Sequence, residues 1–385
     1  MKRINLISAN YFLNSFFPTI LMCIYFLCDE KVRAAEIGVL SSLVIVLLNI
    51  FSSNKRNLIL ASGNDKLIIE TILFRVIFCI PIFILYFFYL FIFEMFNVFN
   101  ILLFIIFFSL WVNEILIVNL EVNKKELNSI RNILLIIIYF ILIQLNIQKD
   151  NNYLELISFA FIFILLSPIL KIFLHNNNSV SINLNSIKNA ILTNIFSLSF
   201  ISSFAFLISV FIWRFFLTQF FEKDIAIYYF IIFAFASFPG TFINNFLGVT
   251  ILRNKVNLFS RYYLIIFLTI FLFIILINFL SQDLNYLLID SNINSDLIIK
   301  MLTISLVGTL FMSLGMYFRS KMFFLKSENI NNLFKADFIY GILISLIVPL
   351  MGIFFINYIY TSYFIGSLIS FFYYMFILNF NQSLK

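Results

Sequence analysis

Long apolar runs separated by short polar breaks fill the chain from end to end. The breaks delimit twelve segments: residues 7–28, 35–53, 70–93, 97–118, 131–147, 153–174, 190–219, 226–250, 262–281, 297–318, 337–356 and 360–380. Inside a run such as Ile101-Leu-Leu-Phe-Ile-Ile-Phe-Phe-Ser-Leu110 apolar and polar residues do not alternate. A transmembrane strand would need that alternation, so each run predicts a helix. Roughly 20 helical residues cross about 30 Å of hydrocarbon, and the runs have that length. The seventh and eighth are the longest, which predicts tilt, a kink or an interfacial start there.

Composition turns twelve apolar helices into a membrane protein. Of 385 residues 63% are hydrophobic and 11% charged, with a mean hydropathy of +1.06. A soluble domain is about 45–50% apolar and about 25% charged. Soluble enzymes, nucleic-acid binders and secreted disulfide scaffolds are therefore excluded. At about 30 residues per span and connection the length holds roughly a dozen helices and leaves no separate soluble domain. The 55 Phe read as codon bias, not as an aromatic site. Met1-Lys-Arg precedes a run with no A-x-A-like cleavage site, so the first run is expected to stay as a span. Cys23, Cys28 and Cys79 lie in apolar stretches and form no framework. His175, the only histidine, has no second ligand for a metal and reads as a solvated loop residue.

The basic residues set the topology. With the N-terminus cytoplasmic, the cytoplasmic segments of a twelve-span chain carry 18 Lys and Arg, against Lys31, Arg33, Lys149 and Lys223 outside. Arg75, Arg214 and Lys300 fall inside spans. One missed span would invert every later loop, so the asymmetry predicts both termini in the cytoplasm. The expected fold is an all-α polytopic membrane protein with two six-helix lobes, 1–188 and 189–385. Basic loops follow the second and fourth spans of each half (Ser53-Asn-Lys-Arg-Asn57 and Leu252-Arg-Asn-Lys255; 123–131 and 326–335). An even number of helices per half makes such a repeat parallel, as in a transporter whose lobes rock about a central cavity. No G-x-x-x-x-G-K-[ST] loop or G-x-G-x-x-G turn is present, so neither nucleotide hydrolysis nor a cofactor is expected. The longest outer loop, Ser281–Asp296, carries three aspartates and no basic residue. That leaves little room for the catalytic loop of a polysaccharide polymerase or ligase.

Two stretches carry a family likeness. Trp213-Arg-Phe-Phe-Leu-Thr-Gln-Phe-Phe-Glu-Lys-Asp-Ile-Ala-Ile-Tyr-Tyr229 resembles the seventh-to-eighth helix hairpin of polysaccharide flippases, with Ile225-Ala226-Ile227 where the family usually has a glycine before the tyrosine. Lys335-Ala-Asp-Phe-Ile-Tyr-Gly-Ile-Leu-Ile-Ser-Leu-Ile-Val-Pro-Leu-Met-Gly352, followed by Gly366, resembles the eleventh-to-twelfth helix region, its glycines spread further apart. These flippases belong to the multidrug/oligosaccharidyl-lipid/polysaccharide exporter superfamily. The resemblance implies a non-enzymatic exporter in a bacterial inner membrane. It would move a polyprenyl-diphosphate-linked oligosaccharide for O-antigen or capsule synthesis, among membrane lipids and beside other polysaccharide-assembly proteins. A cation-coupled multidrug exporter of the same superfamily is the alternative. It would favour an early buried carboxylate, and the first span has none.

Ionisable side chains in a span are costly and default to a functional reading. Arg214 shares a helix face with Ser203, with Ser199 close by, a strip suited to a diphosphate because a guanidinium pairs phosphate oxygens at two points. A guanidinium reaching the outer headgroups beside Trp213 is the competing reading. Arg75 is a second candidate for substrate, and Glu114 for a coupling ion. Lys300 and Glu155 sit at span ends. Asn10 and Asn14, one helical turn apart, either line a cavity or bond a neighbouring helix. Pro18, Pro81, Pro168, Pro239 and Pro349 all lie within spans. Pro239-Gly240 is the expected hinge.

Overall fold

The computed structural model describes residues 6–50, 65–122, 126–148, 153–175, 198–242, 271, 295–324 and 330–383. Among them the apolar runs are helices: α1 (Leu6–Leu27), α2 (Lys31–Ile50), α3 (Asp65–Ile92), α4 (Val98–Val122), α5 (Glu126–Gln148), α6 (Leu154–His175), α7 (Leu198–Phe220), α8 (Lys223–Phe242) and α9 (Ser295–Phe324). Seven helical stretches in the described residues are long and apolar enough to cross a membrane, and two shorter apolar helices accompany them. The chain is a multi-pass, all-helical membrane protein. The expected span 262–281 lies outside the described residues except for Phe271.

The eleventh run departs from a single helix. It forms α10 (Ile330–Ser345) and α11 (Ile347–Phe354), separated at Leu346. Pro349 explains the break, since it has no N–H for the Ser345 carbonyl and its ring crowds that carbonyl. A 3₁₀ turn, Ile356–Thr361, then leads into α12 (Ser362–Ser383). By contrast α8 stays helical through Pro239 and Gly240 to Phe242.

Two tight helix ends set the α1–α2 and α3–α4 hairpins. Glu30 N–H donates to the Tyr25 carbonyl (3.0 Å) and Met95 N–H to the Leu90 carbonyl (2.9 Å). Each closure requires one left-handed residue, Asp29 (φ 62°) and Glu94 (φ 54°).

The chain divides into two compact units, Met1–Leu207 and Ile208–Lys385. In the first, α1 packs on α2, α4 and α5, and α4 also meets α2, α3 and α6. Ile68 and Ile72 of α3 interlock with Val112, Ile115, Leu116 and Val118 of α4. Phe17 of α1 stacks among Tyr139, Phe140 and Phe161, joining α1 to α5 and α6. The outer face of α3 exposes Val76, Ile77, Ile80, Ile84, Phe88 and Phe91, as hydrocarbon surroundings require. In the second unit α9 lies closely along α12. Gly308 and Gly315 permit this approach. A Cβ on Gly315 would stand 3.0 Å from the Ser370 carbonyl carbon and 3.1 Å from the Phe371 nitrogen.

Candidate functional site

Three helices of the first unit turn regularly spaced faces toward one cavity of about 160 Å³. From α1 come Tyr11, Asn14, Ser15 and Pro18; from α4 come Phe107, Leu110, Trp111 and Glu114; α2 closes it with Ile45 and Leu48. The intervals of three, four and seven residues are those that place side chains on one helical face. This stripe is visible in the sequence, but only Asn14, Pro18 and Glu114 of it stand out there by residue type. Tyr11, Ser15 and Trp111 are additions from the structure.

Beside the cavity, two residues singled out separately in the sequence meet as a pair. Arg75 Nη2 lies 2.8 Å from Glu114 Oε2, with Arg75 1% and Glu114 19% exposed. The guanidinium also donates through Nη1 to the Trp111 carbonyl and lies over the Trp111 ring, 4.4 Å from its centroid. Tyr11 donates its hydroxyl proton to Glu114 Oε1 at 3.2 Å. A carboxylate, an arginine and a tyrosine from α4, α3 and α1 thus hold one another. Arg75 is a buried, neutralised charge, and Glu114 keeps an edge toward the cavity.

A chain of amides runs behind this group. Asn132 donates to Asn113 (3.3 Å), Asn113 to Asn14 (2.9 Å), and Asn14 to the Leu110 carbonyl (3.0 Å). Asn14 thus lines this cavity and also bonds α4. Asn10 is fully buried, and neither of its side-chain polar atoms has a hydrogen-bond partner.

The second unit holds a comparable group that sequence reading missed. Arg319 Nε and Nη2 donate to the two oxygens of Asp337 at 2.8 and 2.6 Å. Tyr374 donates to Asp337 Oδ1 at 2.6 Å. Arg319, counted among the cytoplasmic basic residues in the sequence, lies within α9 and ties α9 to α10 and α12. Arg214 is half-buried on α7, its Cζ 5.7 Å from the centre of the Phe230 ring on α8. Its neighbour Trp213 donates to the Ile344 carbonyl. Ser199 and Ser203 lie on α7, with side chains outside the described part. Among the described residues no three His, Cys, Asp or Glu side chains come together as a metal site.

Solved structures share the fold. A crystal structure of a mutant MATE protein superposes on 100% of this chain and 99% of its own, with a TM-score of 0.54 at 14% identity. A MATE protein crystallised in a straight conformation covers 98% and 95%, also with 0.54 and 14%. The chain has the MATE fold. An inward-facing multidrug-resistance MATE transporter of the MOP superfamily is a further neighbour, at 12% identity and a TM-score of 0.49 over 100% and 96%. No protein-family model matches the chain, and no curated protein matches it.

Proposed function

We propose that the chain is an exporter working by alternating access. Its cargo would be a polyprenyl-diphosphate-linked oligosaccharide, carried across a bacterial inner membrane with both termini of the protein cytoplasmic. The MATE fold supports export. One observation favours an oligosaccharide over a cationic drug: the carboxylate at the first-unit cavity is already neutralised by Arg75. With its carboxylate paired, the cavity offers a cation a smaller electrostatic gain to offset its desolvation, whereas a polyhydroxyl cargo needs only hydrogen bonds. Arg214 is the residue we assign to the diphosphate, with Ser199 and Ser203 on the same helix. Pro239 and Gly240 are the proposed hinge.

The test is glycan export in a strain lacking its own flippase, normalised to membrane abundance. The wild-type chain should restore export. Arg214→Ala should abolish it, and Arg214→Lys should recover part, because an ammonium lacks the planar two-point fork. Equal export by Arg214→Lys and Arg214→Gln would assign the residue to headgroups instead. The rival reading, a cation-coupled multidrug exporter, has Glu114 in its favour, since this carboxylate reaches the cavity edge. On that reading Glu114 must leave Arg75 for the coupling ion. Drug resistance without glycan export would establish it.

A further inference from the structure

The first-unit cavity has a chemistry more particular than polarity. Its volume, about 160 Å³, is close to the roughly 150 Å³ that accepts one benzene ring in an engineered protein cavity. That is room for about one ring. One part of the wall is apolar and aromatic, from Phe107 and Trp111.

The polar part is rich in acceptors. Glu114 receives one hydrogen bond on each oxygen, from Tyr11 and Arg75, and a carboxylate has about four acceptor positions. Ser15 spends its proton on the Phe12 carbonyl at 2.9 Å, so its oxygen faces outward as an acceptor. Pro18 lies four residues after Asn14 and has no N–H, so the Asn14 carbonyl lacks its helical donor on this same face of α1. Acceptors without net charge, beside aromatic carbon, call for a neutral ring that has several donors at its rim and an apolar face.

We infer that this cavity is a subsite for a single pyranose ring, with Glu114, Ser15 and the Asn14 carbonyl receiving its hydroxyl protons and Trp111 and Phe107 meeting its C–H face. The inference rests on the proposed oligosaccharide cargo and adds where one sugar of that cargo is read. A sugar hydroxyl is a neutral donor, which this wall can receive without displacing Arg75 from Glu114.

The chain has two tryptophans, and one of them lines the cavity. In a Trp213→Phe protein, Trp111 alone reports by fluorescence. Methyl glycosides of neutral hexoses and N-acetylhexosamines would be titrated one by one, with benzyltrimethylammonium as the cationic comparison. At least one glycoside should give a saturable change, and the cation none. Ser15→Leu, at an exposed position on the cavity rim, should weaken that binding by about tenfold or more. Ser15→Ala, which keeps the space, should lose only part of it. A response to the cation with none to any glycoside overturns the inference, and so does glycoside binding that Ser15→Leu leaves unchanged. Glycan export measured on the same Trp213→Phe chain separates the two levels. Export without glycoside binding refutes the subsite and leaves the flippase reading. Glycoside binding without export does the reverse.

Discussion

Removing Glu114 should destabilise the first unit more than removing Arg75, and removing both should cost little. The two are 2.8 Å apart, which at an effective dielectric of about 20 is an attraction of about 6 kcal/mol. Desolvation offsets much of this, so the pair contributes little net stability relative to apolar residues of similar size. A single deletion is different. Glu114→Met leaves a guanidinium at 1% exposure without its carboxylate partner, and should cost about 3–5 kcal/mol. Arg75→Met leaves a carboxylate that still receives the Tyr11 proton and reaches the cavity, and should cost less. The Arg75→Met/Glu114→Met double variant should return to within about 2 kcal/mol of the parent, a coupling well above the few tenths seen for independent sites. Equilibrium unfolding in mixed micelles, read by loss of helical circular dichroism, measures all four corners of the cycle. A Glu114→Met loss below about 1 kcal/mol would refute the reasoning. So would a double variant whose loss equals the sum of the two singles, because Arg75 would then not depend on Glu114.

Two further substitutions test the fold at points where backbone geometry decides. Gly315→Leu places a side chain where a Cβ already meets Ser370 and Phe371 backbone at 3.0 and 3.1 Å. It should cost about 3 kcal/mol in the same unfolding experiment, the upper part of the overpacking range, with Gly315→Ala losing less. Glu94→Gly relieves a left-handed residue at φ 54° whose side chain is exposed. It should raise stability by up to about 1 kcal/mol, and an unchanged or lower stability would contradict the assigned helix end.

What the sequence could and could not show follows from the range of the forces involved. The helices were legible because hydrocarbon leaves a spanning segment almost no alternative, and a run of twenty apolar residues declares itself locally. The break in the eleventh run is local too, set by Pro349 acting on Ser345. The site was legible only in fragments. Arg75 and Glu114 could each be singled out as a charge in a span, but whether they meet depends on the rotation of α3 against α4, which no local pattern fixes. Tyr11 and Ser15 share a helical face with Asn14 and Pro18, a signal that was available and went unused, because a tyrosine or serine in a span is unremarkable without the neighbour it faces. Arg319 shows a different limit. Counting positive charges toward a loop assigns a residue near a span end to a side of the membrane but does not say that its side chain pairs with Asp337.

The pairing of Arg319 bears on how buried charge should be weighed in this fold. The high cost of an ion in hydrocarbon argues for a purpose, but it does not say which. Here each unit gathers an arginine, a carboxylate and a tyrosine from three different helices: Arg75, Glu114 and Tyr11 in the first, Arg319, Asp337 and Tyr374 in the second. Each group ties three helices at one point, and directional bonds to a charged centre resist sliding more than apolar contact does. The proposed alternating access would demand that each lobe keep its internal packing while it moves. Charges used in this way are unavailable for cargo, since drawing one partner toward a substrate would strand the other in the core. On the proposed function, selection of cargo in the first unit would then fall to groups that can bond without changing partners, namely the acceptors around the cavity. Under the proposed function, an uncharged polyhydroxyl ring would therefore suit these acceptors better than an ion.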